Sequence, residues 1–272
     1  MCLFLTPIRG REYHLFVKGG IDSGVNGREG HAAQKVGPHA RLRRLVIIPA
    51  YNEADSIGPL IRDLKKGGQS DILVINDGST DDTEDCVQKS NVPYVSLPIN
   101  LGIGGAVQTG FRYAFENHYD IAVQVDGDGQ HDPSYIEDLV RPILQDQADV
   151  VIGSRFVHKT GFQSSYHRRM GIRLLQFLSH LLTGHTITDS TSGFRAYNFK
   201  VIAFLADNYA VDFPEPEAII SLLKRGFRIL EVPVVMRSRE AGSSSISGWK
   251  SIYYLYKVVI SMAIEAFRSP HD

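Results

Sequence analysis

From residue 45 to residue 153, short apolar runs alternate with longer stretches whose apolar residues return every three or four positions. The apolar runs at 45–48, 72–75, 94–97, 121–125 and 150–152 predict strands, the first of them broken by Pro49. The run at 121–125 is the clearest, being bounded by polar residues, rich in β-branched side chains and too short for a helix. Helices are expected at 56–66, 80–89 and 106–118, and from Pro133 through Leu144. Ser56 lies near one start, Asp81 and Asp82 occupy a first turn where the helix dipole favours acids, and Pro133 suits a first helical position. Strands alternating with helices predict a mostly parallel sheet covered on both faces. In such a sheet, ligands bind beyond the carboxyl ends of the strands.

Past residue 153 the pattern loosens. An apolar helix is expected at 170–182, a helix at 218–225, a strand at 229–235 and a mobile Ser/Gly loop at 237–247. In the segment 249–268 the polar residues Lys250, Tyr254, Lys257, Ser261, Glu265 and Arg268 recur every three or four positions, so they form one stripe of a helix. The remaining wide face carries Ile252, Tyr253, Leu255, Tyr256, Val259, Ile260, Met262, Ala263 and Phe267. It suits packing against the body, a bilayer interface or a helix of a small membrane protein.

With 272 residues and 43% hydrophobic content, the chain can bury one large α/β core. Its net charge of −1 carries no general nucleic-acid signature. The charge is uneven, however. Residues 1–44 hold eight Lys/Arg against Glu12, Asp22 and Glu29, so this arm is +5 and the remainder −6. The arm has seven glycines and no sustained periodicity, which predicts a poorly ordered basic extension. Only Cys2 and Cys86 are present, so no disulfide framework is expected and a reducing cytosol is the default. Residues 1–10 lack the pattern of a signal peptide, and no apolar stretch is long enough to predict a membrane span.

The chemistry concentrates in VQVDGDGQHDP, residues 123–133. Asp126 and Asp128 follow the strand at 121–125 and, two positions apart, point the same way. Gly127 and Gly129 leave room for a bulky ligand near the backbone. Two hard oxygen donors in open space suit Mg²⁺ or Mn²⁺, which keep positions for substrate phosphates. Asp-Gly-Asp-Gly is also a common turn composition, so its company matters.

That company is IIPAYNE (47–53), INDGSTDDT (75–83), NLGIGGAVQTG (100–110), VDGDGQHDP (125–133), IGSRF (152–156) and DSTSGFRAY (189–197), in this order. The series resembles family 2 glycosyltransferases of GT-A fold, and most of all the polyprenyl-phosphate sugar synthases of the dolichyl-phosphate mannose synthase type. The resemblance covers residues 45–268. It implies a three-layer α/β fold with a mostly parallel central sheet, a catalytic domain at 45–240 and a loop plus amphipathic helix at 241–272. It also implies an inverting, metal-dependent transfer from a UDP-, GDP- or dTDP-sugar to a polyprenyl phosphate on the cytosolic membrane face.

Matching motif by motif, the resemblance places Pro49, Tyr51 and Glu53 at the nucleoside and Asp77 at the base or ribose, where a carboxylate makes strong charged hydrogen bonds. Asp77 also suits a turn or helix cap. Asn100, Gly102, Gly104 and Gly105 resemble a close-approach turn at the donor; their place and spacing do not fit a Rossmann fingerprint. Asp126, Asp128 and Gln130 would hold the metal and diphosphate, while His131 and Asp132 are explained by a polar loop and a helix cap. The equivalents of Arg155 and Ser192 face the acceptor phosphate in the lipid-phosphate-using members, and Arg195 with Arg168 and Arg169, of which Arg169 is the candidate, adds guanidinium groups suited to phosphate; Arg168 and Arg169 could equally be solvated helix-start charges. Glu215 and Glu217 are the candidate bases, with Glu217 favoured by the resemblance, although acids that open a helix are also favoured by its dipole. Arg239, Gly242 and Ser244 resemble a loop over the diphosphate, in which a commonly present lysine is Ser245 here. The alternatives are transfer to a glycan hydroxyl, which requires a base, and an inactive nucleotide-binding scaffold.

Overall fold

The computed structural model describes residues 42–157, 166–210, 214–237, 257–262 and 264, with backbone only for 166–172. Seven strands form one sheet: β1 (Arg44–Ala50), β2 (Asp71–Asn76), β3 (Tyr94–Ser96), β4 (Ile121–Gln124), β5 (Val150–Ser154), β6 (Arg195–Asn198) and β7 (Ile229–Pro233). Their order is β3-β2-β1-β4-β6-β5-β7. β1 pairs in parallel with β2 and β4, and β5 with β7; β6 alone runs antiparallel to its neighbours β4 and β5.

Both faces are covered, which is why the strands are apolar almost throughout instead of alternating. On one face, Leu45 and Ile47 of β1 meet α3 (Gly102–Glu116), α6 (Phe199–Asn208) and α7 (Pro214–Lys224). On the other, Val46 and Ile48 meet α1 (Ala54–Gly67), α2 (Thr83–Lys89) and α4 (Ile136–Leu144). Successive side chains of one strand therefore serve opposite layers. α5 (Tyr166–Thr183) and the helical residues 257–262 stand apart with α7 around a small third cluster of Leu175, Ile220, Val258 and Met262.

Three differences from the expected elements have physical causes. α3 begins at Gly102, four residues earlier than expected, where the Leu101 N–H just before it is taken by the Asp77 carboxylate, and further along a Cβ at Gly110 would overlap the Ile47 side chain. α7 begins at Pro214 and holds Pro216 in its first turn, where a missing N–H breaks no helical bond. β6 and α6 were not expected as elements. β6 is four residues long and carries a charged residue, and α6 is started by Asn198, whose side chain accepts the Val201 N–H at 3.0 Å.

Within the C-terminal segment, Val258 and Met262 are fully buried, whereas Ile260 and Ile264 are exposed. The described part of that helix therefore packs on the body by one edge. Among the described residues, no helix is long and apolar enough to cross a membrane.

Candidate active site

A cleft of about 310 Å³ opens at the carboxyl ends of β1, β2 and β4. Its walls are Pro49, Ala50, Tyr51 and Glu53 after β1, Asp77 after β2, Asn100, Ile103 and Ala106 at the start of α3, and Asp126, Gly127 and Asp128 after β4. Four of the sequence motifs thus converge on one cavity, and the two carboxylates of the DGDG stretch share it.

The cleft is built from loops that brace one another. Asn52, at φ 56°, donates its backbone N–H to Ser79 Oγ (3.0 Å), and its Oδ1 accepts from Thr80 N (2.8 Å). Glu53 N donates to Thr83 Oγ1 at 2.8 Å, so the loops after β1 and β2 are tied together. Ser56 Oγ lies 2.8 Å from both Gly127 O and Glu53 Oε2, tying the start of α1 to the DGDG turn. Gly127 has to be glycine, because a Cβ there would sit 2.9 Å from Pro49 O.

Asp77 is nearly buried, and its Oδ1 accepts the Leu101 N–H at 2.7 Å. Burial raises its pKa, and the hydrogen bonds from Leu101 and Gly102 oppose that rise. One oxygen therefore caps α3, while the residue still lines the cleft. Asp128 Oδ1 accepts the Gln130 N–H at 3.0 Å, which closes the turn after the second carboxylate. Asp126 keeps 34% of its side chain exposed. Asp132 caps the short turn Pro133–Tyr135 by accepting Ser134 N–H and is also paired with Arg237 at 3.1 Å, so its structural reading holds.

On the other side of Asp126, Arg155 is gripped by Asp189, which the sequence reading did not single out. Thr191 Oγ1 also accepts from Arg155 Nη2 at 3.0 Å. Asp189 is positioned in turn by Glu231 of β7, whose carboxylate accepts Thr188 N–H, Thr188 O–H and Asp189 N–H, each at 2.8 Å. An acid inside the otherwise apolar strand ILEVP was the available signal for this buttress.

Several expected site residues lie elsewhere. Arg195 has no exposed surface, and its guanidinium donates to the carbonyls of Ser192, Ser190 and Glu215 at 2.6–3.0 Å. Ser192 is equally buried and donates to Gly153 O at 2.7 Å. Both hold the segment before β6 in shape and present nothing to an acceptor. Gly104 is buried in the first turn of α3 and does not line the cleft, whose wall there is Asn100, Ile103 and Ala106.

Glu217 Oε1 accepts from Ser261 Oγ of the C-terminal helical residues, a packing role. Burial raises the pKa of Glu215, Arg195 opposes the rise and the Asp126 charge adds to it. The side chains of Arg168 and Arg169, and all of Arg239, Gly242, Ser244 and Ser245, lie outside the described residues.

Residues 45–205 match the family model for glycosyl transferase family 2. The chain belongs to that family. A UDP-N-acetylglucosamine–dolichyl-phosphate N-acetylglucosaminyltransferase of Methanococcus voltae is 31% identical, over 81% of this chain and 97% of its own length. An undecaprenyl-phosphate mannosyltransferase of Micrococcus luteus is 32% identical, over 76% and 88%. In three dimensions, this family 2 glycosyltransferase superposes on glucosyl-3-phosphoglycerate synthase of Mycobacterium tuberculosis, solved with Mn²⁺, uridine diphosphate and phosphoglyceric acid. The TM-score is 0.66 at 20% identity, covering 84% and 80% of the two chains, which establishes a GT-A-like fold.

Proposed function

We propose that this glycosyltransferase moves a sugar, with inversion, from a nucleotide sugar to a polyprenyl phosphate. The reading places it peripherally at the cytosolic face of a membrane. The observation that carries it is the convergence of Asp126 and Asp128 on the cleft that Asp77 and Tyr51 line, with Arg155 near enough for its charge to interact with Asp126. Relatives named for dolichyl and undecaprenyl phosphate support the acceptor class.

The donor set fits a hard divalent cation. Two carboxylates line one open cleft, and the enforced glycine between them leaves the backbone bare. Asp126 and Asp128, with Gln130 by resemblance, would hold Mg²⁺ or Mn²⁺, which supplies neutralisation of the charge on the departing nucleoside diphosphate. Tyr51, Glu53 and Asp77 would seat the nucleoside. Arg155 would bring the acceptor phosphate opposite the anomeric carbon. Such a phosphate is already anionic and attacks without a general base.

The raised pKa of Glu215 beside Asp126 is the one feature that suits a hydroxyl acceptor instead. Radiolabelled UDP-, GDP- and dTDP-sugars, supplied with undecaprenyl phosphate, with and without Mn²⁺, test the proposal. Metal-dependent labelling of the lipid is expected, with near-normal turnover in Glu215→Gln and Glu217→Gln. Transfer confined to glycan hydroxyls, or abolished by either substitution, overturns the acceptor assignment; no transfer or donor hydrolysis under any condition indicates a scaffold.

A further inference from the structure

His131 follows the DGDG turn, yet it is only 2% exposed and points inward. Its Nδ1 accepts the backbone N–H of Asp126 at 3.1 Å, which places the ring proton of the neutral imidazole on Nε2. That Nε2 lies 3.7 Å from Asp126 Oδ2. One ring therefore faces both the main chain and the carboxylate of the same aspartate. The imidazole cannot swing away, because it is stacked on Phe194 with centroids 4.8 Å apart and planes 12° from parallel.

Phe194 is fixed from two sides. Its N–H donates to Ser192 Oγ at 3.3 Å, and its carbonyl accepts Gly153 N–H at 2.8 Å. Gly193, just before it, completes the arrangement: a Cβ there would stand 2.5 and 2.7 Å from the two carboxylate oxygens of Asp126. The carboxylate thus occupies space that any side chain at 193 would fill.

We propose that His131 is a positioning residue for Asp126, with Phe194 and Gly193 completing the seat, and that this seat sets the affinity for the divalent cation. The inference rests on Asp126 being a metal ligand. A side chain that orients a ligand typically changes metal affinity by about 10–100-fold when removed. A ring that only filled the interior would change folding stability and leave the affinity of the folded protein alone.

The test is Mn²⁺ binding to the full chain in the presence of uridine diphosphate, followed by electron paramagnetic resonance, with thermal melting in parallel. Wild type should bind and Asp126→Asn should not. His131→Phe keeps the stack and removes the acceptor, so its dissociation constant for Mn²⁺ should rise by roughly 10-fold or more. His131→Asn, whose side-chain oxygen takes the Nδ1 place, should recover most of that loss. His131→Gln, which reaches the Nε2 place and leaves the Nδ1 place empty, should not, and this pair decides the matter even where the Phe variant does not fold. Gly193→Ala should weaken binding by displacing the carboxylate. Wild-type affinity in His131→Gln, with a change in melting alone, overturns the inference. Equal binding by wild type and Asp126→Asn instead removes the metal assignment on which it rests.

Discussion

Arg155 and Asp189 meet fork to fork, Nε donating to Oδ2 and Nη2 to Oδ1, each at 2.7 Å. The Asp189 side chain is buried, while the Arg155 side chain keeps 22% of its surface. Among the described residues, the hydrogen bonds of the Arg155 guanidinium run from Nε and Nη2 and none runs from Nη1.

Arg155→Lys should raise KM for polyprenyl phosphate far more than KM for the nucleotide sugar, because an ammonium cannot hold Asp189 bidentately and present a second edge. Initial-rate kinetics with each substrate varied in turn check this. Equal effects on both KM values contradict an acceptor role.

Asp189→Ala should cost stability by about 3 kcal/mol, the low end for breaking a buried pair because Arg155 retains some water contact. Denaturant unfolding measures it. A change below about 1 kcal/mol is what a solvated pair would give and contradicts the buried one.

Arg195→Met should lower stability by at least about 2 kcal/mol, since three buried carbonyls lose their donor. The folded fraction should keep its KM for the lipid phosphate, setting Arg195 apart from Arg155. A selective rise in that KM would return Arg195 to the acceptor site.

Gly110→Ala pits two effects against each other. Helix propensity favours alanine by about 1 kcal/mol, but the new Cβ overlaps Ile47, a fully buried side chain on the central strand. Overpacking of this kind costs about 1–3 kcal/mol, so the net effect should be destabilisation and a lower denaturant midpoint.

Asp149 fixes the sign of one acid dependence. Hydrogen bonds from Arg228 lower its pKa below 3.8, with burial opposing and Asn198 assisting. Its contribution is therefore complete above pH 3.8 and is lost as pH falls through the lower folded value. The difference in melting temperature between wild type and Asp149→Asn should be constant from pH 5 to 8 and shrink below pH 3.8, as calorimetry across that range would show.

That Tyr51, Glu53, Asp77, Asp126 and Asp128 meet in one cleft was legible because the information is local. Asp126 and Asp128 sit at a strand end, where i and i+2 spacing dictates direction, and Tyr51, Glu53 and Asp77 follow strands that periodicity reveals. The surroundings of Arg155 and Arg195 depend on pairing between distant segments. Arg155 and Arg195 look alike in sequence, yet one ends a strand beside a buried acid and the other starts a strand at the centre of the sheet. Glu215 and Glu217 stand two residues apart on α7, and only the structure shows that the second accepts from Ser261 of the C-terminal helical residues. His131 reads as a polar loop residue until the stack on Phe194 is seen.

β6 runs against its neighbours, with Arg195 level with Gln124 of β4. A reversed strand has its beginning, not its end, on the rim where β4 delivers Asp126, so residues 189–194 reach that rim before they enter the sheet. The chain leading into β6 therefore carries both Asp189, which holds Arg155, and Gly193 and Phe194, which pack against Asp126 and His131. The polarity of a four-residue strand thereby couples two neighbourhoods through one short stretch of chain, so exchanging residues 189–194 between relatives would disturb the surroundings of Arg155 and of Asp126 at once.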